Sequence, residues 1–121
     1  MAATPTVIEF VLGRLHDIGI TDVFGVPGDF AFPVQDAIVA HPDINWIGCC
    51  NELNTGYAAD GYARIRGVAA LSTTYGVGEL SAIGAVAGSY AEHLPVFHLT
   101  GMPSVAAQTN RALVHLSLIH I

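Results

Sequence analysis

The chain has 121 residues, enough for one domain with its own core. Hydrophobic residues make up 52% of it and charged ones 12%, a balance that excludes a disordered chain. Four cations against ten Asp and Glu give a formal charge of −6, so there is no basic patch to follow a nucleic-acid backbone and no nucleic-acid partner is expected.

All four cations are arginines (Arg14, Arg64, Arg66 and Arg111). The chain therefore lacks the lysine of a P-loop and the lysine that forms a Schiff base with pyridoxal. Cys49 and Cys50 are adjacent, which is neither a zinc-ligand spacing nor a disulfide framework, and they are expected as buried thiols at a strand end. No basic stretch precedes a long apolar run at the start. The expectation is no leader peptide, no membrane span and a cytoplasmic location. Thirteen glycines in this length predict close helix–sheet packing.

In chain order, a helix is predicted over 6–18, where Val7, Phe10, Val11, Leu15 and Ile18 recur at helical spacing after Thr4-Pro5. Gly19 stops it. A strand follows over 22–26 and ends in the turn Gly25-Val-Pro-Gly-Asp29. Residues 32–40 form a helix closed by His41-Pro42, and 45–50 a second strand. A long helix covers 51–66, with Asp60 and Arg64 able to pair one turn apart, and Gly67 ends it. The apolar run 68–74 is a third strand. Gly76-Val-Gly78 turns the chain into a helix over 79–93, Pro95 breaks that helix, and 96–99 is a fourth strand before Gly101-Met-Pro103. Strands apolar on both faces, alternating with helices, imply an α/β fold: a parallel sheet covered by helices on both faces.

In such sheets ligands bind beyond the carboxyl ends of the strands. The segments there are Val26-Pro-Gly-Asp29, Asn51-Glu52, Thr74-Tyr-Gly-Val-Gly78 and Thr100-Gly101. Gly76-Val-Gly78-Glu-Leu-Ser81 has the place of a dinucleotide-binding turn, but Ser81 stands where the third glycine belongs and no ribose-binding acid follows. A tight strand-to-helix turn explains it equally well. Glu52 alone is an ordinary first-turn glutamate favoured by the helix dipole. Asp29 alone is a turn or cap residue. His93 and His98 are lone histidines with structural roles expected, and no spacing in the chain suits a metal. Gly84 and Gly88, one turn apart, are expected to allow close packing, including at a subunit contact.

Five motifs in order carry more than any one of them. They are Val23-Phe-Gly-Val-Pro-Gly-Asp29, Cys50-Asn-Glu-Leu-Asn54, Tyr57-Ala-Ala-Asp-Gly-Tyr-Ala-Arg64, Thr74-Tyr-Gly-Val-Gly-Glu-Leu-Ser-Ala82 and Gly88-Ser-Tyr-Ala-Glu-His-Leu-Pro95. From residue 4 to about 115 the chain closely resembles the start of the thiamine-diphosphate-dependent 2-keto acid decarboxylases, the family of pyruvate, indolepyruvate and phenylpyruvate decarboxylases. Asp29 after Gly28, together with Glu-His-Leu-Pro95, favours this branch over the acetolactate synthases.

The resemblance implies the pyrimidine-binding domain of the thiamine-diphosphate-binding fold and a reaction that turns a 2-keto acid into an aldehyde and carbon dioxide. By the same resemblance Glu52 hydrogen-bonds N1′ of the aminopyrimidine. A carboxyl group buried against an apolar ring is pushed toward its protonated form and can share that proton. Asp29 and His115 correspond to the family's acid and first paired histidine on the substrate side. Pro27, Gly28 and Thr74 would line the pyrimidine pocket. Magnesium and the diphosphate belong to a separate C-terminal domain, so no metal is expected on this chain. The family's site lies between subunits, which implies a homodimer or tetramer. After His115 the pattern stops. Residues 116–121 are expected to be a non-native tail, translated adapter sequence joined to a truncated gene, leaving residues 1–115 as an incomplete domain. Two other expectations stand beside this one: a separate pyrimidine-binding subunit of a split thiamine enzyme, and a non-catalytic nucleotide-binding module of Rossmann type.

Overall fold

A computed structural model describes residues 4–110; His115 and the segment 116–121 lie outside the described residues. The elements are α1 (Val7–Asp17), β1 (Asp22–Gly25), α2 (Phe32–Ala40), β2 (Asn45–Gly48), α3 (Glu52–Arg66), β3 (Ala69–Thr74), α4 (Val77–Ala91), β4 (Val96–Gly101) and α5 (Val105–Thr109). The four strands are parallel in the order β2-β1-β3-β4. This is the expected α/β architecture.

The two-residue period of the strands divides the core. Val23 pairs with Ala70, and both enter a cluster with Leu12, Leu15, Ile20, Ile38 and Ile44 under α1 and α2. Their neighbours Phe24 and Leu71, also paired, turn to the other face and meet Ala59, Ala63 and Ala82 of α3 and α4. Helices thus cover both faces of the central strands. All six residues of β3 are buried. The edge strands differ from the expectation of burial on both faces, because each has a neighbour on one side: β2 is largely exposed and β4 half-buried.

Local chemistry sets the boundaries. Thr6, not Thr4-Pro5, caps α1: its hydroxyl accepts from the Glu9 N–H while the Glu9 carboxylate accepts from the Thr6 N–H at 2.6 Å. Asn51 caps α3 by accepting from the Asn54 N–H at 2.8 Å, and Gly67 ends that helix at φ 89°. The turn at Gly76 is tighter than predicted. Gly76 takes φ 65°, donates its N–H to Glu79 Oε1 at 3.0 Å, and lets α4 begin at Val77, so Gly78 lies in the first helical turn.

Two expectations are corrected. Cys49 is half-buried and Cys50 exposed, since β2 ends at Gly48 and is an edge strand, so these are not core thiols. Gly84 and Gly88 do not carry the close packing of α4 within the chain. A methyl on Gly84 would find Leu53 Cδ1 at an ordinary 3.7 Å, and one on Gly88 would find nothing within 4 Å. The close approach is at Gly56 of α3, where a Cβ would lie 2.6 Å from Ala85 Cβ. The α3–α4 pair is further tied by Arg64, which bonds Asp60 and Glu92 at 2.6 Å each, and by the Ser89 hydroxyl donating to Asp60 at 2.6 Å.

Candidate functional site

Three strand ends and two helix starts converge on one place. Thr74 ends β3, Glu52 opens α3 just after β2, Gly78 lies in the first turn of α4, and Gly28 belongs to the loop after β1. Their proximity shows in the space around the glycines. A Cβ on Gly28 would lie 2.6 Å from Thr74 Cβ. A Cβ on Gly78 would lie 3.1 Å from Thr74 Cγ2 and 3.3 Å from both Glu52 Oε1 and Thr73 Cβ. Crowding, not a positive φ, disfavours a side chain at Gly28, and at Gly78 it leaves a methyl only tight contacts. The structure therefore brings together Glu52, Gly28 and Thr74, three residues singled out from sequence, and adds Gly78.

Polar groups in this cluster are left to be used. Thr74 is 6% exposed, and its Oγ1 has no hydrogen-bond partner among the described residues. A buried hydroxyl without a partner costs about 1–3 kcal/mol, which a ligand atom can recover. Glu52 is half-buried in the first turn of α3. Pro27 and Asp29 are exposed on the Gly28 loop.

Behind Thr74 stands a second row, in which a structural role was expected for His98 but its partner Thr73 and the buried Gln35 were not singled out from sequence. The Thr73 hydroxyl contacts the Thr74 carbonyl at 3.0 Å and His98 Nε2 at 2.8 Å. Burial lowers the pKa of His98, with Glu79 acting in the opposite sense. The neutral ring that results suits a structural support. Tyr75, buried after β3, meets Phe30 edge to face at 5.4 Å. Gln35 of α2 is buried and reaches the Gly28 loop. Gly-Val-Gly78 after a strand could have marked Gly78. No local pattern marks Gln35 or the Thr73–His98 pair, whose partners lie 7 to 25 residues away.

An open apolar depression between α1, α2 and β4, lined by Val7, Val11, Val34 and Leu99, shares no residue with this cluster. Among the described residues no three His, Cys, Asp or Glu are grouped to hold a metal. No described helix is long and apolar enough to cross a membrane.

Comparison with known proteins gives the cluster its context. Residues 5–119 match the family "Thiamine pyrophosphate enzyme, N-terminal TPP binding domain". The chain belongs to this family. Over 114 residues it is 60% identical to an alpha-keto-acid decarboxylase of Mycobacterium leprae, covering 93% of this chain and 20% of that protein. The alpha-keto-acid decarboxylase of Mycobacterium ulcerans is 58% identical over 113 residues with the same coverage. The chain thus spans about a fifth of the length of these relatives. Benzoylformate decarboxylase from Polynucleobacter necessarius superposes with a TM-score of 0.83 over 94% of this chain and 21% of its own, at 21% identity, and so shares the fold.

Membership in a thiamine-pyrophosphate-binding family implies a cofactor with a flat, polar-edged aminopyrimidine, and the cluster fits one. Gly28 and Gly78 have no side chain, which lets the Gly28 loop and the start of α4 pack directly against Thr74. Thr74 Oγ1 offers an unused hydroxyl, and the Glu52 carboxyl faces the same space as Gly78.

Proposed function

We propose that this chain is the aminopyrimidine-binding part of a thiamine-diphosphate-dependent 2-keto acid decarboxylase, with Glu52 as the group that activates the cofactor. The observation that carries the reading is the meeting of Glu52, Gly78, Thr74 and Gly28 at the carboxyl ends of parallel strands. Glu52 would exchange a proton with ring nitrogen N1′. Thr74 Oγ1 would bond the ring's polar edge, and Pro27, Gly28 and Gly78 would shape the pocket around it. Asp29, on the exposed loop beside Gly28, and His115 would act on the substrate side in proton transfer. When bound, thiamine diphosphate supplies the electron sink that lets carbon dioxide leave a 2-keto acid.

The relatives' printed names support a 2-keto acid as substrate, with pyruvate, indolepyruvate and phenylpyruvate the candidates. Magnesium and the diphosphate would be held by a separate domain. A cytoplasmic homodimer or tetramer completes the proposal. Its support is an exposed apolar face on α3 and α4: Leu53, Tyr57, Leu80, Ile83 and Tyr90 are 43%, 59%, 42%, 58% and 83% exposed.

The test is Glu52→Gln in the full-length decarboxylase. The amide keeps the shape and loses the exchangeable proton. Turnover should fall on the order of a hundred-fold or more, the scale of a general acid–base group, while the melting temperature stays. Undiminished turnover would remove Glu52 from the mechanism.

A further inference from the structure

Gln35 is 5% exposed, a polar residue facing the core from α2. Burying an amide is unfavourable unless its hydrogen bonds are made. One loop makes both. The Gly28 N–H donates to Gln35 Oε1 at 3.1 Å, and Gln35 Nε2 donates to the Val26 carbonyl at 2.9 Å. The partners fix the amide's orientation, because an N–H needs the oxygen and a carbonyl needs the NH₂.

These two backbone groups flank Pro27, which has no N–H of its own. The side chain therefore closes around the peptide that sets the direction of the loop. Beyond it, the Ala31 N–H donates to the Gly28 carbonyl at 2.8 Å. Gly101 of β4 presses on the same stretch: a Cβ there would lie 2.5 Å from Ala31 Cα. The loop is fixed on both sides of Asp29.

Resting on the function proposed above, we infer that Gln35 is a positioning residue of the site: through Val26 and Gly28 it holds the loop that sets Gly28 against Thr74 and carries Pro27 and Asp29. A neutral group with one acceptor and one donor end is needed. Ionised glutamate accepts from Gly28 but repels the Val26 carbonyl, whereas protonated glutamate reproduces both bonds.

That chemistry gives the experiment. Gln35→Met and Gln35→Glu are made in the full-length decarboxylase, with Glu52→Gln as reference. Turnover and KM are followed from acid to neutral pH, thiamine diphosphate affinity is measured in the presence of magnesium, and hydrogen exchange is read over residues 26–31. Gln35→Met should lose about ten- to hundred-fold in kcat, the scale of a displaced reacting group, with faster exchange confined to that loop. Gln35→Glu should approach the parent at acid pH and fall away as pH rises, since a buried carboxyl has its pKa raised and loses its proton over that range. Parent-like kinetics in both variants at every pH, or a loss in Gln35→Glu that acid does not relieve, overturns the inference while Glu52→Gln remains impaired. If Glu52→Gln is also unimpaired, the underlying reading of the site fails instead.

Discussion

Replacing Gly78 by alanine probes the pocket without removing any functional group. Gly78 lies in the first turn of α4, so alanine gains up to about 1 kcal/mol of helix propensity. Against this the new methyl meets Thr74 Cγ2 at 3.1 Å and Thr73 Cβ and Glu52 Oε1 at 3.3 Å. Thr73 and Thr74 are β-branched, buried on the central strand, and cannot turn away. Glu52 is long and half-buried, so it is the partner that moves. Overpacking of this kind costs about 1–3 kcal/mol, which leaves a net destabilisation of roughly 0–2 kcal/mol after the propensity gain. The functional cost is larger than the structural one, because the displaced carboxyl is the group proposed to meet the pyrimidine. Thiamine diphosphate affinity should weaken at least about ten-fold, or about 1.4 kcal/mol. Calorimetric titration of the full-length decarboxylase with thiamine diphosphate and magnesium, beside its thermal unfolding without cofactor, separates the two effects. Gly84→Ala, whose nearest neighbour would be Leu53 Cδ1 at 3.7 Å, is the control and should bind the cofactor as the parent does. Parent-like affinity and turnover in Gly78→Ala would refute the placement of the site between Gly78 and Glu52.

Tyr62 donates to Asp22 Oδ2 at 2.6 Å, and this bond, helped by Asn45, Thr21 and Arg66 against partial burial, holds the carboxyl below its usual range. A carboxylate stabilised in this way supports the fold above its unfolded value of 3.8 and loses that contribution as pH falls through the lower folded value. Tyr62→Phe should therefore cost about 1 kcal/mol in urea unfolding at neutral pH, with the difference from the parent shrinking at and below about pH 4. Ile83→Asp, on the exposed face of α4, should shift the full-length protein toward monomers in sedimentation while leaving the fold intact. An unchanged sedimentation coefficient would locate the subunit contact elsewhere.

The strands and helices were legible because their residues announce themselves locally. Val23 and Phe24 alternate between two faces, Gly67 ends a helix, and the apolar run before Thr74 has the length of a buried strand. The same locality made the carboxyl-end segments legible, whereas Glu52, Gly28 and Thr74 were singled out within them by the family resemblance, since Glu52 alone reads as an ordinary first-turn glutamate. What escaped was set by neighbours distant in the chain. The exposure of Cys50 follows from β2 being an edge strand, which no residue near Cys50 records. Gly56 was passed over for Gly84 and Gly88 because helix spacing shows which residues share a face, not which face meets another helix. The position of Gly78 inside α4, not before it, followed from Glu79 reaching back to the Gly76 N–H.

The same distinction separates two kinds of site residue. Those that need an unusual backbone or unusual room, such as Gly28 and Gly78, leave a mark in the sequence because few residues can replace them. Those that act by bonding a remote backbone, such as Gln35 on Val26 and Gly28 or His98 on Thr73, leave none, since a glutamine or histidine near an apolar run is compatible with many environments. The site is therefore held by more of the chain than its motifs show. Glu52, Thr74 and Gly28 come from three segments, while Gln35 of α2 bonds the Gly28 loop, His98 of β4 meets Thr73, and Gly101 of β4 packs on Ala31. On the function proposed above, a substitution in α2 or β4 would thus weaken the site while every motif residue stays unchanged.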